Sequence, residues 1–336
     1  MADYTIRGYE PGDEAHILEL FARAFHQRRD LAHWAWKYRD SPYGSLRISV
    51  AVDGEGRTVA HYAGYPVPFS LASAAGRRTV TALQIGDTMT RPEARGVGRR
   101  STSLLARTAR DFYERFCAGR VAFNYGFNEG GIQTFSVRVL GAERVESVPF
   151  RVREPAAPPR SAPGRWRRVL HGLTVETVEA VDDDWDAFFR DVAPAYAFLI
   201  ERDARYVRWR YLRRPDVPYL VLAVRRRRAL CCWGVFTRRE EALIWGDALV
   251  HPDHAGAVSL LLAAAAASPI GRGARRVQGW FSPRPAWFGT MLDDLGFRVE
   301  PEPQDLALMC VPWRERDAAA QMRRALYYTY GDSDLF

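Results

Sequence analysis

The 336 residues are 47% hydrophobic and 26% charged, a balance that supports a sizeable core and argues against disorder at large. A net charge of +8 suggests nucleic acid, but the 48 basic residues are 47 arginines and one lysine, Lys37, spread over both halves. That bias reads as coding composition, and no basic face interleaved with stacking aromatics accompanies it. The four cysteines, Cys117, Cys231, Cys232 and Cys310, make no C-x-x-C pair, so neither a zinc site nor a disulfide framework is expected. Residues 1–14 hold no apolar h-region, and the longest apolar run, 260–267, is too short to span a bilayer. The expectation is a cytoplasmic protein of two domains of about 150 residues each, without metal, membrane or nucleic-acid partners.

In chain order, residues 4–7 read as a strand, and the turn through Pro11, Gly12 and Asp13 opens a helix carrying Ile17, Leu18, Phe21 and Phe25 at helical spacing. A second helix with Leu31, Trp34 and Trp36 stops before Ser41-Pro42. Residues 47–52 and 59–67 alternate as strands about Asp53-Gly54-Glu55-Gly56, a hairpin signal. Residues 79–90 form the next strand, which Pro92 ends, followed by Arg95-Gly96-Val97-Gly98-Arg99-Arg100-Ser101 and a helix over 104–116. A strand over 120–125, a turn at 126–131 and a short helix ending at Leu140-Gly141 complete the first half.

The glycine loop is the feature around which the rest is arranged. Gly96 and Gly98 let backbone come close to a ligand where a helix begins, and N–H groups there join the positive end of the helix dipole to favour an anion. A P-loop is excluded because the lone lysine lies far upstream. A dinucleotide fingerprint would need Gly or Ala at 101, which is Ser. The remaining pattern, Arg/Gln-x-x-Gly-x-Gly/Ala, with the lead-in Thr90-Arg91-Pro92-Glu93-Ala94-Arg95, resembles the acyl-CoA loop of the GNAT superfamily of N-acyltransferases. The opening "Ile6-Arg7, then Pro11-Gly12-Asp13, then a helix" is similar to the GNAT start as well.

The second half repeats the first. Trp36-Lys37-Tyr38 with Pro42 recurs as Trp209-Arg210-Tyr211 with Pro215. Gly86-Asp87, Pro92-Glu93 and Gly96 recur as Gly246-Asp247, Pro252-Asp253 and Gly256, and Leu140-Gly141 as Leu295-Gly296. This is a tandem duplication of one fold. The expected organisation is a GNAT-like domain over 1–150, a linker over 151–172, a degenerate GNAT-like copy over 173–313 and a tail over 314–336. The fold class is α/β (α+β), each domain a mixed, twisted sheet flanked by helices. In the second copy Arg95, Gly98 and Arg100 become Ala255, Val258 and Leu260, so that copy should not hold a cofactor.

The resemblance implies an acetyl-CoA-dependent N-acetyltransferase acting on the amine of a small molecule, such as an amino sugar or a specialised metabolite. It leaves room for a homodimer. The same residues leave open a FemAB-like aminoacyl transferase or a non-catalytic CoA-binding protein. By residue-for-residue carry-over the backbone donors to acetyl-CoA would be Thr88, Met89 and Thr90. The pyrophosphate would lie on Arg95, Gly96, Val97, Gly98, Arg99, Arg100 and Ser101, with Asn128 at a position where the family often has an Asn contacting CoA. The family's usual acid, a Tyr, is Val137 here, and the Glu that serves as base in histone-directed members is Gln84. The replacement candidates are Tyr125 as acid, Asp87 as base, and the C-terminal carboxylate of Phe336, as in Eis-type acetyltransferases. For Asp87 a structural role is the competing reading, since the same residue recurs as Asp247 in a copy without a cofactor loop.

Overall fold

The computed structural model describes residues 4–98, 100–154 and 172–336. The described chain divides into two compact units. The first takes the chain up to Phe69 together with Thr79–Ser147 and Gln304–Arg323, and the second takes Ser70–Arg78, Val148–Pro303 and Arg324–Phe336.

The strands in chain order are β1 (Thr5–Gly8), β2 (Ile48–Val52), β3 (Thr58–Ser73), β4 (Gly76–Thr90), β5 (Phe123–Asn128), β6 (Glu143–Ser147), β7 (Phe150–Arg153) and β8 (Leu173–Thr177). They continue as β9 (Phe198–Ile200), β10 (Leu220–Arg226), β11 (Ala229–Arg239), β12 (Ala242–Val250), β13 (Arg276–Trp280), β14 (Arg298–Glu300), β15 (Ala307–Pro312) and β16 (Leu326–Tyr327). The first sheet runs β1-β2-β3-β4-β5-β15-β6 and the second β8-β10-β11-β12-β13-β7-β14. Position by position the two orders correspond, which is the duplication written in strand pairing. Along each of these seven-strand orders one neighbouring pair is parallel, β4 with β5 and β12 with β13, and the other pairs with a described register are antiparallel; β16 and β9, which pair in parallel, belong to the first sheet but lie off its order.

The sixth position of each sheet is filled by a strand from the other half of the sequence. β15 pairs with β5 and β6, and β7 pairs with β13 and β14. Period-2 alternation says which residues face a core but not which sheet they join. The boundaries expected from composition therefore shift: 150–153 is a strand of the second sheet, and 307–312 a strand of the first. The rest of the expected linker, 155–171, lies outside the described residues. Residues 314–336 are folded rather than a tail, with a helix at Ala318–Ala325, then β16 and a 3-10 turn at Tyr330–Asp332.

Helix α1 (Asp13–Phe25) starts after left-handed Gly12 with Asp13 and Glu14 in its first turn, and buries Ile17, Leu20 and Phe21. Asp13 also pairs with Arg7 of β1 at 2.7 Å. Helix α2 (Leu31–Trp34) is capped by Asp30, whose side chain accepts from the His33 N–H, and widens into a π turn over Ala35–Arg39. The second unit repeats this with Asp203, the helix Ala204–Val207 and a π turn over Arg208–Leu212. Helix α3 (Leu104–Phe116) has Ser103 as its cap and buries Leu104, Thr108 and Phe112, one turn apart, and α4 (Gly130–Leu140) ends on left-handed Gly141. Among the described residues no helix is long and apolar enough to cross a membrane.

Two boundaries differ from those expected. β3 and β4 form a longer hairpin than 59–67 and 79–90. β5 begins at Phe123, so Gly126, Phe127 and Asn128 are strand and not turn. The helix after the glycine loop spans Leu104–Phe116 as expected, six residues beyond Gly98, with a 3-10 turn over Arg100–Thr102 between them.

Candidate acyl-transfer site

β4 and β5 touch only at Leu83 with Asn124 and Gln84 with Tyr125. Beyond that point they part, and a cleft opens in the first unit. Ile85 and Thr88 of β4 line one wall, Tyr125, Gly126 and Asn128 of β5 the other, and Ile132, Phe135 and Ser136 of α4 with Met309, Cys310 and Val311 of β15 close it. A side chain at 126 would crowd it, since a Cβ there would lie 3.2 Å from the Ile85 carbonyl oxygen. At the narrow end the hydroxyls of Tyr62 and Tyr113 meet at 3.0 Å.

β4 runs into the glycine loop. Val97 is half-buried against the cluster of Ala51, Val59, Ala60, Ala94 and Leu104, and its carbonyl accepts from the Leu104 N–H at 3.1 Å. That bond uses the first N–H of α3, so the loop backbone rather than the helix end offers donors. Arg95, Gly96, Gly98 and Ser101 are exposed. Gly98 sits at φ +75°, where a Cβ would come within 2.2 Å of the Thr102 oxygen, and only glycine closes this turn. Arg95 reaches back to the Thr90 carbonyl at 3.4 Å, and Arg110 holds the Ser101 carbonyl. Arg99 and the side chain of Arg100 lie outside the described residues. A narrow cleft that a Cβ would fill, walled by a strand that leads into an exposed, arginine-flanked glycine loop, fits the arm and pyrophosphate of an acyl-CoA.

Asp87 has φ +50°, in the left-handed region that a non-glycine residue seldom occupies. Its Oδ2 accepts from Arg29 at 2.5 Å, Lys37 at 2.9 Å and the Tyr38 hydroxyl at 2.7 Å, and its backbone carbonyl oxygen lies 2.7 Å from His61 Nδ1. Burial alone would push the carboxyl up, but Arg29, Lys37 and Tyr38 outweigh it and hold it well below the usual carboxylate range. So strongly ionised a carboxylate is a poor proton acceptor near neutral pH. These contacts favour the structural reading of Asp87, a fixed counter-ion, over a base. His61 is fully buried, and burial pushes its imidazole down to about 4. Facing a carbonyl oxygen, Nδ1 carries a proton, and with the pKa so depressed by burial Nε2 carries none near neutral pH, so the ring is neutral.

The other expected site residues separate. Thr88 borders the cleft, whereas Met89 packs with Ile17, Leu20, Trp34 and Tyr38 and Thr90 is buried. Tyr125 borders the cleft with its ring against Phe69 at 5.3 Å and Phe127 at 6.4 Å. Asn128 lines it too, donating to the Ser136 hydroxyl at 2.9 Å. Gln84 is buried and Val137 is exposed.

Phe336 is held within the second unit. Its carbonyl oxygen accepts from Arg210 at 3.0 Å and from Arg214, and its ring stacks on Tyr219 at 4.8 Å and covers Gly246, where a Cβ would collide with it. These partners all belong to the second unit, and two guanidiniums neutralise the terminus. These contacts are those of a docked, buried Phe336. The cleft of the second unit is filled as well: Trp245, at the position of Ile85, is fully buried with Phe281 at 4.4 Å and Phe297 at 5.7 Å.

The residues missed from sequence are Arg29 and His61. For Arg29 a signal existed, because Arg29-Asp30 recurs as Arg202-Asp203 at the same displacement of 173 as Trp36-Lys37-Tyr38. Arg202 and Tyr211 hold Asp247 at 3.0 and 2.5 Å as Arg29 and Tyr38 hold Asp87. His61 carries no motif.

Known proteins share this fold. The family model described as an acetyltransferase (GNAT) domain matches residues 5–135. Among solved structures, a GCN5-related N-acetyltransferase from Kribbella flavida is 17% identical with a TM-score of 0.63, covering 93% of this chain and 72% of that one. A probable N-acyltransferase from Enterococcus faecalis is 13% identical at TM-score 0.64, covering 94% and 74%. The N-myristoyltransferase of Saccharomyces cerevisiae, with bound myristoyl-CoA, is 11% identical at TM-score 0.58, covering 92% and 83%. At these identities the likeness shows the fold. No curated protein matches by sequence. The two sheets are those of tandem GNAT-like folds. Over residues 5–135 the chain matches a GNAT acetyltransferase domain, a fold that implies acyl-CoA binding.

Proposed function

We propose that the first unit transfers an acetyl group from acetyl-CoA to the amine of a small molecule. The observation that carries this reading is the cleft where β4 and β5 part, with its β4 wall leading into the Arg95–Ser101 loop. When bound, acetyl-CoA supplies an activated thioester. The protein must orient it, exclude water and offer donors where the carbonyl oxygen gains charge. Arg95 and the backbone at Gly96 and Gly98 would hold the pyrophosphate. Gly126 keeps the slot open for the arm, Asn128 and Ser136 edge it, and Thr88 stands on the wall facing β5. Tyr125, on the β5 wall, is the hydroxyl suited to protonate a leaving thiolate. With Asp87 and Phe336 committed to arginines, a bound water is left to take the amine proton. Val137 and Gln84, where the family's usual acid and a Glu base would stand, support a second reading, a CoA-binding protein without turnover.

Calorimetry with acetyl-CoA, followed by thiol release with a panel of amines, tests both. One site per chain is expected, weakened by about 2 kcal/mol or more in Arg95→Glu, because charge-assisted contacts are the strong ones. Unchanged affinity in that variant, or a second site per chain, overturns the cofactor assignment. Binding with no release from any amine favours the non-catalytic reading.

A further inference from the structure

Strict alternation along β4 would put residues 85 and 87 on one face and 88 on the other. Instead Ile85 and Thr88, three apart, both line the cleft, while the Asp87 side chain lies with Arg29, Lys37 and Tyr38 and Met89 packs into the α1 and α2 core. The parity of the strand therefore flips at Asp87. An extra residue in one strand does this, and such bulges re-aim side chains next to sites. The second unit has its own version: Val235 pairs with Asp247 and Phe236 with Trp245, leaving Gly246 over.

The two copies share the Asp, the Arg and the Tyr. They differ in the backbone, because Asp247 is not in the left-handed region whereas Asp87 is. They differ in function as well, because the second cleft is filled by Trp245 and the first is open. The left-handed turn in the open copy has a dedicated donor. With φ positive, the Asp87 carbonyl reaches the buried His61 Nδ1 at 2.7 Å. Lys37, the one lysine in a chain that uses arginine everywhere else, brings a compact ammonium to the carboxylate of the same residue at 2.9 Å. Arg210, its counterpart, instead holds carbonyls of Gly331, Ser333 and Phe336.

We infer that His61, with Lys37, Tyr38 and Arg29, is a clamp that fixes the left-handed turn at Asp87 and so sets the stretch from Thr88 onward against the reacting thioester. These are positioning residues: none of them borders the cleft, and each acts through Asp87. The inference rests on the acyltransfer reading, since it assigns the clamp to that site.

His61→Leu removes the donor and keeps much of the bulk, while His61→Asn restores an N–H near the place of Nδ1. In the Leu variant the amide of Thr88 should exchange with solvent about tenfold faster or more, with Leu83 unchanged, and the Asn variant should recover most of the protection. On an amine the wild type accepts, kcat should fall about tenfold or more in the Leu variant at unchanged acetyl-CoA affinity, the signature of a donor misplaced only for the transition state. Unchanged exchange at Thr88, or an Asn variant as exposed as Leu at equal thermal stability, overturns the clamp. Raised exchange with full kcat overturns its part in the reaction. A wild type that binds no acetyl-CoA rejects the acyltransfer reading and with it the catalytic part of the inference, and the exchange measurement still decides the clamp.

Discussion

At the scale of single residues, the Asp87 group ties stability to pH. His61 has its folded pKa near 4 against an ordinary value of 6.5, so the unfolded chain binds its proton first. Its contribution is complete above about pH 6.5 and is lost as pH falls toward 4, about 2 kcal/mol of it between pH 7 and pH 5. Asp332 runs the other way, because burial pushes its carboxyl up to about 6 against the pull of Arg202. A carboxyl raised in the fold adds stability at low pH and loses it as pH rises through that value. The His61 share is therefore read from the difference between wild type and His61→Gln in denaturant unfolding at the two pH values. The variant should show the shallower loss on acidification, and parallel curves would contradict the buried neutral ring. Asp87→Asn should cost about 3 kcal/mol at neutral pH, because it strands the Lys37 ammonium and the Arg29 guanidinium in a mostly buried site. The midpoint of urea unfolding checks this.

At the scale of elements, the glycine loop separates two roles that its sequence runs together. Gly98 has the left-handed backbone and no room for a Cβ, while a Cβ at Gly96 meets nothing within 4 Å. Gly98→Ala should therefore rebuild the turn and weaken acetyl-CoA binding about tenfold or more, and Gly96→Ala should cost less, unless the ligand itself needs that space. Neither should move the melting temperature by more than a few degrees, because the loop is exposed. Equal affinities for the two variants would show that the turn at Gly98 does not shape the site. The loop, α1, α3 and the duplicated helix with its π turn were legible because each carries local signals: caps, glycines, aromatics at helical spacing and a repeated string. The end of β5 was not. Gly126 and Asn128 are turn formers by composition, yet pairing with Met309 and Ala307 of β15 makes them strand, and a neighbour so distant in sequence leaves no local mark. His61 was hidden for the same reason, since its significance lies in a carbonyl on the adjacent strand.

At the scale of the whole molecule, the exchange of β7 and β15 decides what can fold. The cleft that would hold acetyl-CoA takes one wall from Met309, Cys310 and Val311, which come after the Val148–Pro303 segment of the second unit in sequence. A fragment of residues 1–154 has the glycine loop, α3, α4 and β5, and matches the full extent of the family model, yet it leaves β5 and β6 without the strand that pairs with both. The inner edge of β5 would then expose main-chain groups beside Phe127 and Tyr125, an invitation to aggregation. The fragment should therefore show no cooperative unfolding and no acetyl-CoA binding by calorimetry. A split pair, 1–154 with 172–336 expressed together, should recover both, because every strand among the described residues is then present and only the segment between them is left out. If 1–154 alone unfolds cooperatively and binds acetyl-CoA with the affinity of the full chain, β15 is dispensable and the first sheet closes without it. If the split pair copurifies but does not bind, the cut segment contributes to the site and the wall formed by β15 is not sufficient.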